Sequence, residues 1–100
     1  MYMTNISFAV APEVQEKWLD IIKKDFIPFL NQNGFASVTL SRVVSIKAED
    51  HFTYSLLTDV PDMKAYQRLT GELFDEYVRI ATPLFGSQVV WFTSLMKKLN

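Results

Sequence analysis

The first apolar pattern along the chain is an alternation. Ile6, Phe8 and Val10 are separated by Ser7 and Ala9, which predicts a strand with those three side chains on one face. At Ala11-Pro12-Glu13 the period changes. Val14, Trp18, Ile21, Ile22 and Phe26 fall at helical spacing, with Glu16, Lys17, Asp20, Lys23 and Lys24 opposite. Pro12 suits a first helical turn, Pro28 is expected to kink or interrupt the helix, and Asn33-Gly34 is a stop signal. Phe35 to Lys47 reads as a long strand with Val38, Leu40, Arg42, Val44 and Ile46 on one face. Ala48-Glu49-Asp50 reads as the turn of a hairpin whose return strand is Phe52 to Thr58.

Asp59-Val60-Pro61-Asp62 opens a second helix, capped by either Asp. Met63, Tyr66, Leu69, Leu73, Phe74, Tyr77, Val78 and Ile80 carry its apolar face. Gly71 predicts a bend within it, and Thr82-Pro83 its end. The uncharged stretch from Ile80 to Met96 is too short and polar to span a bilayer, and reads as a loop feeding a final strand, Val89 to Leu95.

Strand, helix, strand, strand, helix, strand is the split βαβ plan. It predicts an α+β, ferredoxin-like βαββαβ sandwich, with a four-stranded antiparallel sheet and two helices on one face, as a single domain over residues 1–100. Which sheet face the helices cover is left open. Val90 and Phe92 oppose Val89 and Trp91, and Leu57 opposes Leu56, so either choice leaves apolar side chains on the other face. The expected solution is a two-fold homodimer through the sheet face, with Val90, Phe92 and Leu57 in the interface.

Composition narrows the function classes. The net charge is −1 and no basic stripe is present, so nucleic-acid binding is not expected. There are no cysteines, which excludes disulfides and thiolate metal sites and favours a cytoplasmic location. The first residues lack the basic and long apolar regions of a signal peptide, and no membrane association is expected.

Candidate chemistry is sparse. Arg42, in mid-strand on an apolar face, needs a partner for its guanidinium. It either holds a carboxylate or phosphate in the paired cavity or, more simply, pairs with an acid at the sheet edge or interface. Tyr54, Trp91 and Phe8 share a parity on neighbouring strands and could line a pocket for a planar ligand, although such aromatics are more often core. His51 is the only histidine, and beside Glu49 and Asp50 it reads as a solvated turn residue. No metal site or cofactor is expected.

Several short segments carry a family resemblance over nearly the whole chain. They are Asn5 to Val10, Trp18-Leu19, Ile27-Pro28, Gly34-Phe35, Arg42-Val43, Thr53-Tyr54-Ser55, and Phe85-Gly86 through Phe92. In this order and spacing they resemble a bacterial family known as domain of unknown function 4286. The resemblance implies membership of the dimeric α/β-barrel, ferredoxin-like group, some of whose members are small monooxygenases, haem-degrading enzymes or ligand-binding regulators. The chain departs from the family where Phe92-Thr93-Ser94 replaces Phe-Arg-Thr, and in the helix from Leu69 to Ala81. Two functions are therefore expected to compete. One is a homodimeric binding or interaction module taking a small apolar or anionic ligand. The other is a monooxygenase-like or isomerase-like enzyme needing little cofactor, with its pocket in the space that pairing encloses, around Arg42, Tyr54 and Trp91.

Overall fold

The computed structural model describes residues 1–45 and 50–99. Four strands, β1 (Tyr2–Val10), β2 (Val38–Val43), β3 (Phe52–Val60) and β4 (Val89–Lys97), form one sheet in the order β2-β3-β1-β4 with every neighbour antiparallel. Two helical segments follow β1 and β3. The first comprises α1 (Gln15–Ile21), a π-helical turn (Ile22–Phe26) and α2 (Ile27–Gln32). The second comprises α3 (Met63–Arg68), a π-helical turn (Leu69–Leu73) and α4 (Phe74–Phe85). This is the ferredoxin-like fold expected from the element order.

In the two central strands one alternating set of side chains is covered by the helices. Thr4, Ile6, Phe8 and Val10 of β1, and Tyr54, Leu56, Thr58 and Val60 of β3, are buried against the helices. The intervening residues face the other way and are only partly covered.

Both π-turns have a cause in side-chain spacing. Trp18, Ile22, Phe26 and Leu30 recur every four residues and are all buried, as are Leu69, Leu73, Tyr77, Ala81 and Phe85. At 3.6 residues per turn, a strict four-residue spacing drifts by about 40° per step. A wider π-turn cancels the drift and keeps each row on the sheet. The two turns also meet: Phe26 ends the first, Phe74 follows the second, and their rings pack edge to face at 6.0 Å.

The wider turn explains why Pro28 does not break its helix. The N–H of Ile27 reaches back to the carbonyl of Ile22, so the hydrogen-bond register has already shifted where the proline would lack a donor. Gly71 lies inside the other π-turn, where the bend was expected. The first segment stops as Asn33-Gly34 implied. Phe35 N–H bonds Leu30 O at 3.0 Å, Gly34 N–H bonds Asn31 O at 3.3 Å, and Gly34 has φ 95°. Asp62 is the acid that caps α3, accepting from Ala65 N–H at 2.8 Å.

Two expectations are corrected, and a third falls outside the described residues. β2 is an edge strand of six residues, not a run from Phe35 to Lys47. Its pairing with β3 ends at Val43↔Thr53, and Phe35 is instead buried in the core. The proposed turn at Ala48-Glu49, with Ile46 and Lys47, lies outside the described residues. The second helix does not stop at Thr82-Pro83. It reaches Phe85 because Ala81 and Phe85 continue the buried row, while Pro83 sits on the exposed side, where one missing donor near the end costs little. Gly86, at φ 53° and ψ −129°, then turns the chain toward β4.

Candidate functional site

The four residues proposed for a ligand pocket form one cross-strand row. Arg42 pairs with Tyr54, Tyr54 with Phe8, and Phe8 with Trp91. That row faces the helices. The three residues proposed for the interface, Val90, Phe92 and Leu57, face the opposite way. Pairing through the open face therefore cannot enclose a pocket around Arg42, Tyr54 and Trp91. The error has one source: alternation fixes which residues share a face, but not which face the helices take.

Along the row, the middle is closed. Phe8 is 0% exposed and Tyr54 4%. Trp18 packs on both, with ring centroids 5.0 Å from Phe8 and 4.9 Å from Tyr54. Tyr77 lies edge-on to Phe8 at 5.6 Å. Two polar contacts fix this cluster. Trp18 Nε1 donates to the Tyr77 hydroxyl at 2.8 Å, and Gln15 Nε2 donates to the Tyr54 hydroxyl at 2.5 Å. Burial pushes the Tyr77 phenol up from its ordinary value of 10.0 to about 12, opposed in part by the Trp18 hydrogen bond. A phenol so held is a structural acceptor at neutral pH, not a proton donor poised for chemistry.

The two ends of the row are open. Trp91 packs edge to face on Phe74 at 5.5 Å and on Tyr77 at 6.0 Å, but stays 36% exposed at the sheet edge. Arg42 is exposed on the edge strand rather than buried in mid-sheet. Its guanidinium lies over the Phe52 ring at 4.6 Å. An exposed cation needs no buried counter-charge, so the premise for an anion site there is gone. His51 stands beside Asp50, with Nδ1 at 2.8 Å from the carboxylate, and that contact lowers the Asp50 pKa.

The open face carries what the sequence reading did not anticipate. Its centre is polar and small. Ser55 Oγ donates to Asn5 Oδ1 at 2.5 Å, and Asn5 Nδ2 donates to Ser7 Oγ at 3.1 Å. Ser41 lies opposite Ser55, and Ser94 opposite Asn5. Apolar groups form the rim on β4: Val90 is 54% exposed, Phe92 65% and Met96 36%. Among the described strand residues of this face, Asp59 is the one ionisable group, and Lys98 neutralises it at 3.0 Å. Among the described residues, no group of three His, Asp or Glu side chains could hold a metal ion, and no helix is long and apolar enough to cross a membrane.

Comparison with known proteins agrees with this architecture. A dimeric ferredoxin-like protein from an uncultured marine organism superposes with TM-score 0.74 at 12% identity, covering 99% of this chain and 95% of that one. An ethyl tert-butyl ether d (ethd) family protein from Bacillus halodurans gives 0.64 at 12% identity, with 99% and 100% covered. SnoaB, a cofactor-independent oxygenase from Streptomyces nogalater, gives 0.62 at 13% identity, with 99% and 94% covered. At such identities the likeness defines the class, a ferredoxin-like α+β protein, and nothing finer. No curated protein matches the sequence. Residues 1–99 match the model of the domain of unknown function family DUF4286, and the chain belongs to that family.

Proposed function

We propose that the chain is a homodimeric interaction module that pairs through the open face of its sheet, with β4 as the main contact. The observation that carries this reading is Phe92, 65% exposed on a strand whose neighbours Val90 and Met96 are exposed on the same face. A sheet face left in water normally alternates to charged and polar side chains. Here the Asp59 carboxylate is already neutralised, the β4 rim is apolar and the centre is uncharged. Strands about 4.8 Å apart and up to nine residues long give a face of about 500 Å². Two copies bury about 1,000 Å², the lower bound for a specific interface, so the pairing is concentration-dependent.

The alternative, an oxygenase-like or isomerase-like enzyme, needs room between sheet and helices. There this chain packs Phe8, Trp18, Tyr54 and Tyr77, each no more than 4% exposed. The interaction reading also changes the ligand class. The enclosed centre is uncharged, so a ligand carried there is uncharged rather than anionic. The cysteine-free composition fits a reducing cytoplasm.

The test is a matched pair of substitutions. Phe92→Asp places a charge on the open face, and Leu84→Asp places one on an exposed helical position. Phe92→Asp is expected to yield a folded monomer, while Leu84→Asp leaves the dimer intact. A dimer that survives Phe92→Asp would show that another surface makes it.

A further inference from the structure

A cavity lies between the two helical segments, walled by helical residues alone and so apart from the open sheet face. Its volume is about 130 Å³. Phe26 and Tyr77 form its floor, with ring centroids 5.4 Å apart, and Phe29 packs beside Phe26 at 6.4 Å. Ile21 and Ile80 complete the apolar walls, and two carboxylates, Asp25 and Glu76, complete the lining.

We propose that this cavity binds an alkylated ammonium cation. The combination of walls selects it. A hydrated metal ion needs several oxygen ligands and gains nothing from rings and isoleucines. A neutral hydrocarbon fits the walls but makes no use of the carboxylates. An ammonium whose hydrogens are replaced by methyl groups is cheap to desolvate, packs on apolar walls, and is attracted by ring faces and by nearby negative charge. A cavity of about 150 Å³ holds benzene, so 130 Å³ admits a trimethylammonium head.

The surrounding charges leave the lining negative. Arg79 is held by Glu76 through Nε at 3.3 Å and through Nη2, and neutralises that carboxylate without lining the cavity. Lys24 pairs with Asp20 at 3.7 Å. Asp25 is exposed and available to a cation at the mouth. The cavity is formed where the first π-turn widens the helix: Asp25 and Phe26 are its last two residues.

The test is a backbone amide NMR titration of the intact protein with choline chloride. Sodium chloride and the uncharged isostere 3,3-dimethylbutan-1-ol serve as controls. Choline is expected to shift resonances in residues 21–29 and 76–80, and to bind about tenfold tighter than the alcohol. Asp25→Asn, on an exposed side chain, is expected to weaken choline binding several-fold and leave the alcohol unaffected. Phe29→Leu is expected to weaken choline more than the alcohol, with the spectrum otherwise unchanged. A peptide bearing trimethyllysine supplies the same head on a protein chain. Tighter binding of the peptide assigns the site to a modified side chain, and equal binding to a free amine; both support a cation site. Equal binding of choline and the alcohol, shifts that scatter away from the cavity, or indifference to Asp25→Asn would overturn the proposal. Because the site is remote from the open sheet face, a monomeric protein would leave it standing.

Discussion

Trp18 Nε1 donates a 2.8 Å hydrogen bond to the Tyr77 hydroxyl inside the core, joining the two helical segments above Phe8. Both side chains are at most 1% exposed. Removing the hydroxyl alone strands a buried indole donor. Tyr77→Phe is therefore expected to cost about 1–3 kcal/mol in urea unfolding. In the Trp18→Phe/Tyr77→Phe pair neither polar atom is left orphaned, so the double variant is expected to lose less than the sum of the singles. Strict additivity would show that the bond contributes nothing.

The same phenol gives a pH dependence of defined sign. Its folded pKa of about 12 lies above the ordinary 10.0. Its contribution is complete below pH 10 and is lost as pH rises toward 12, because the unfolded chain releases the proton first. The loss over that window is about 2–3 kcal/mol. Unfolding measured from pH 9 to pH 12 is expected to fall more steeply for the natural protein than for Tyr77→Phe. Parallel profiles would refute the assignment.

Thr4 carries a buried hydroxyl with no hydrogen-bond partner on the helix-covered face of β1. Valine has nearly the same shape and no polar atom to desolvate. Thr4→Val is expected to stabilise the protein by about 1 kcal/mol, read as a higher urea midpoint with unchanged slope. A destabilised variant would mean that the hydroxyl is satisfied.

Two glycines are expected to respond in opposite directions. A methyl at Gly71 meets nothing within 4 Å and the backbone there is not left-handed. Gly71→Ala is expected to stabilise by about 0.4–1 kcal/mol, through the unfolded chain. Gly86 has φ 53°. Gly86→Ala is expected to cost about 1–3 kcal/mol by thermal or urea melts, because side chains resist that backbone region.

The particular residues show how much was legible. Alternation in Ile6-Phe8-Val10 and the turn and cap residues carry the order of the four strands and two helical segments, since these depend on local spacing. Strand ends depend on a neighbour, so β2 as an edge strand was read too long. The four-residue rows Trp18-Ile22-Phe26-Leu30 and Leu69-Leu73-Tyr77-Ala81-Phe85 mark the π-turns, but Trp18-Ile22-Phe26 and Leu69-Leu73-Tyr77 also satisfy ordinary helical spacing. The site suffered most. Tyr54, Phe8 and Trp91 share a parity that the strand pattern shows, but which side of the sheet they occupy is set by packing, which that pattern leaves open. The cavity between the helices joins Asp25 to Glu76, residues far apart in sequence, and no local pattern links them.

Sedimentation equilibrium over a wide dilution range tests the central claim, pairing through the open sheet face. The expected result is twice the 11.6 kDa chain mass at high concentration, falling toward one chain on dilution, with Phe92→Asp at one chain throughout. A natural protein that stays at one chain mass at every concentration would contradict it.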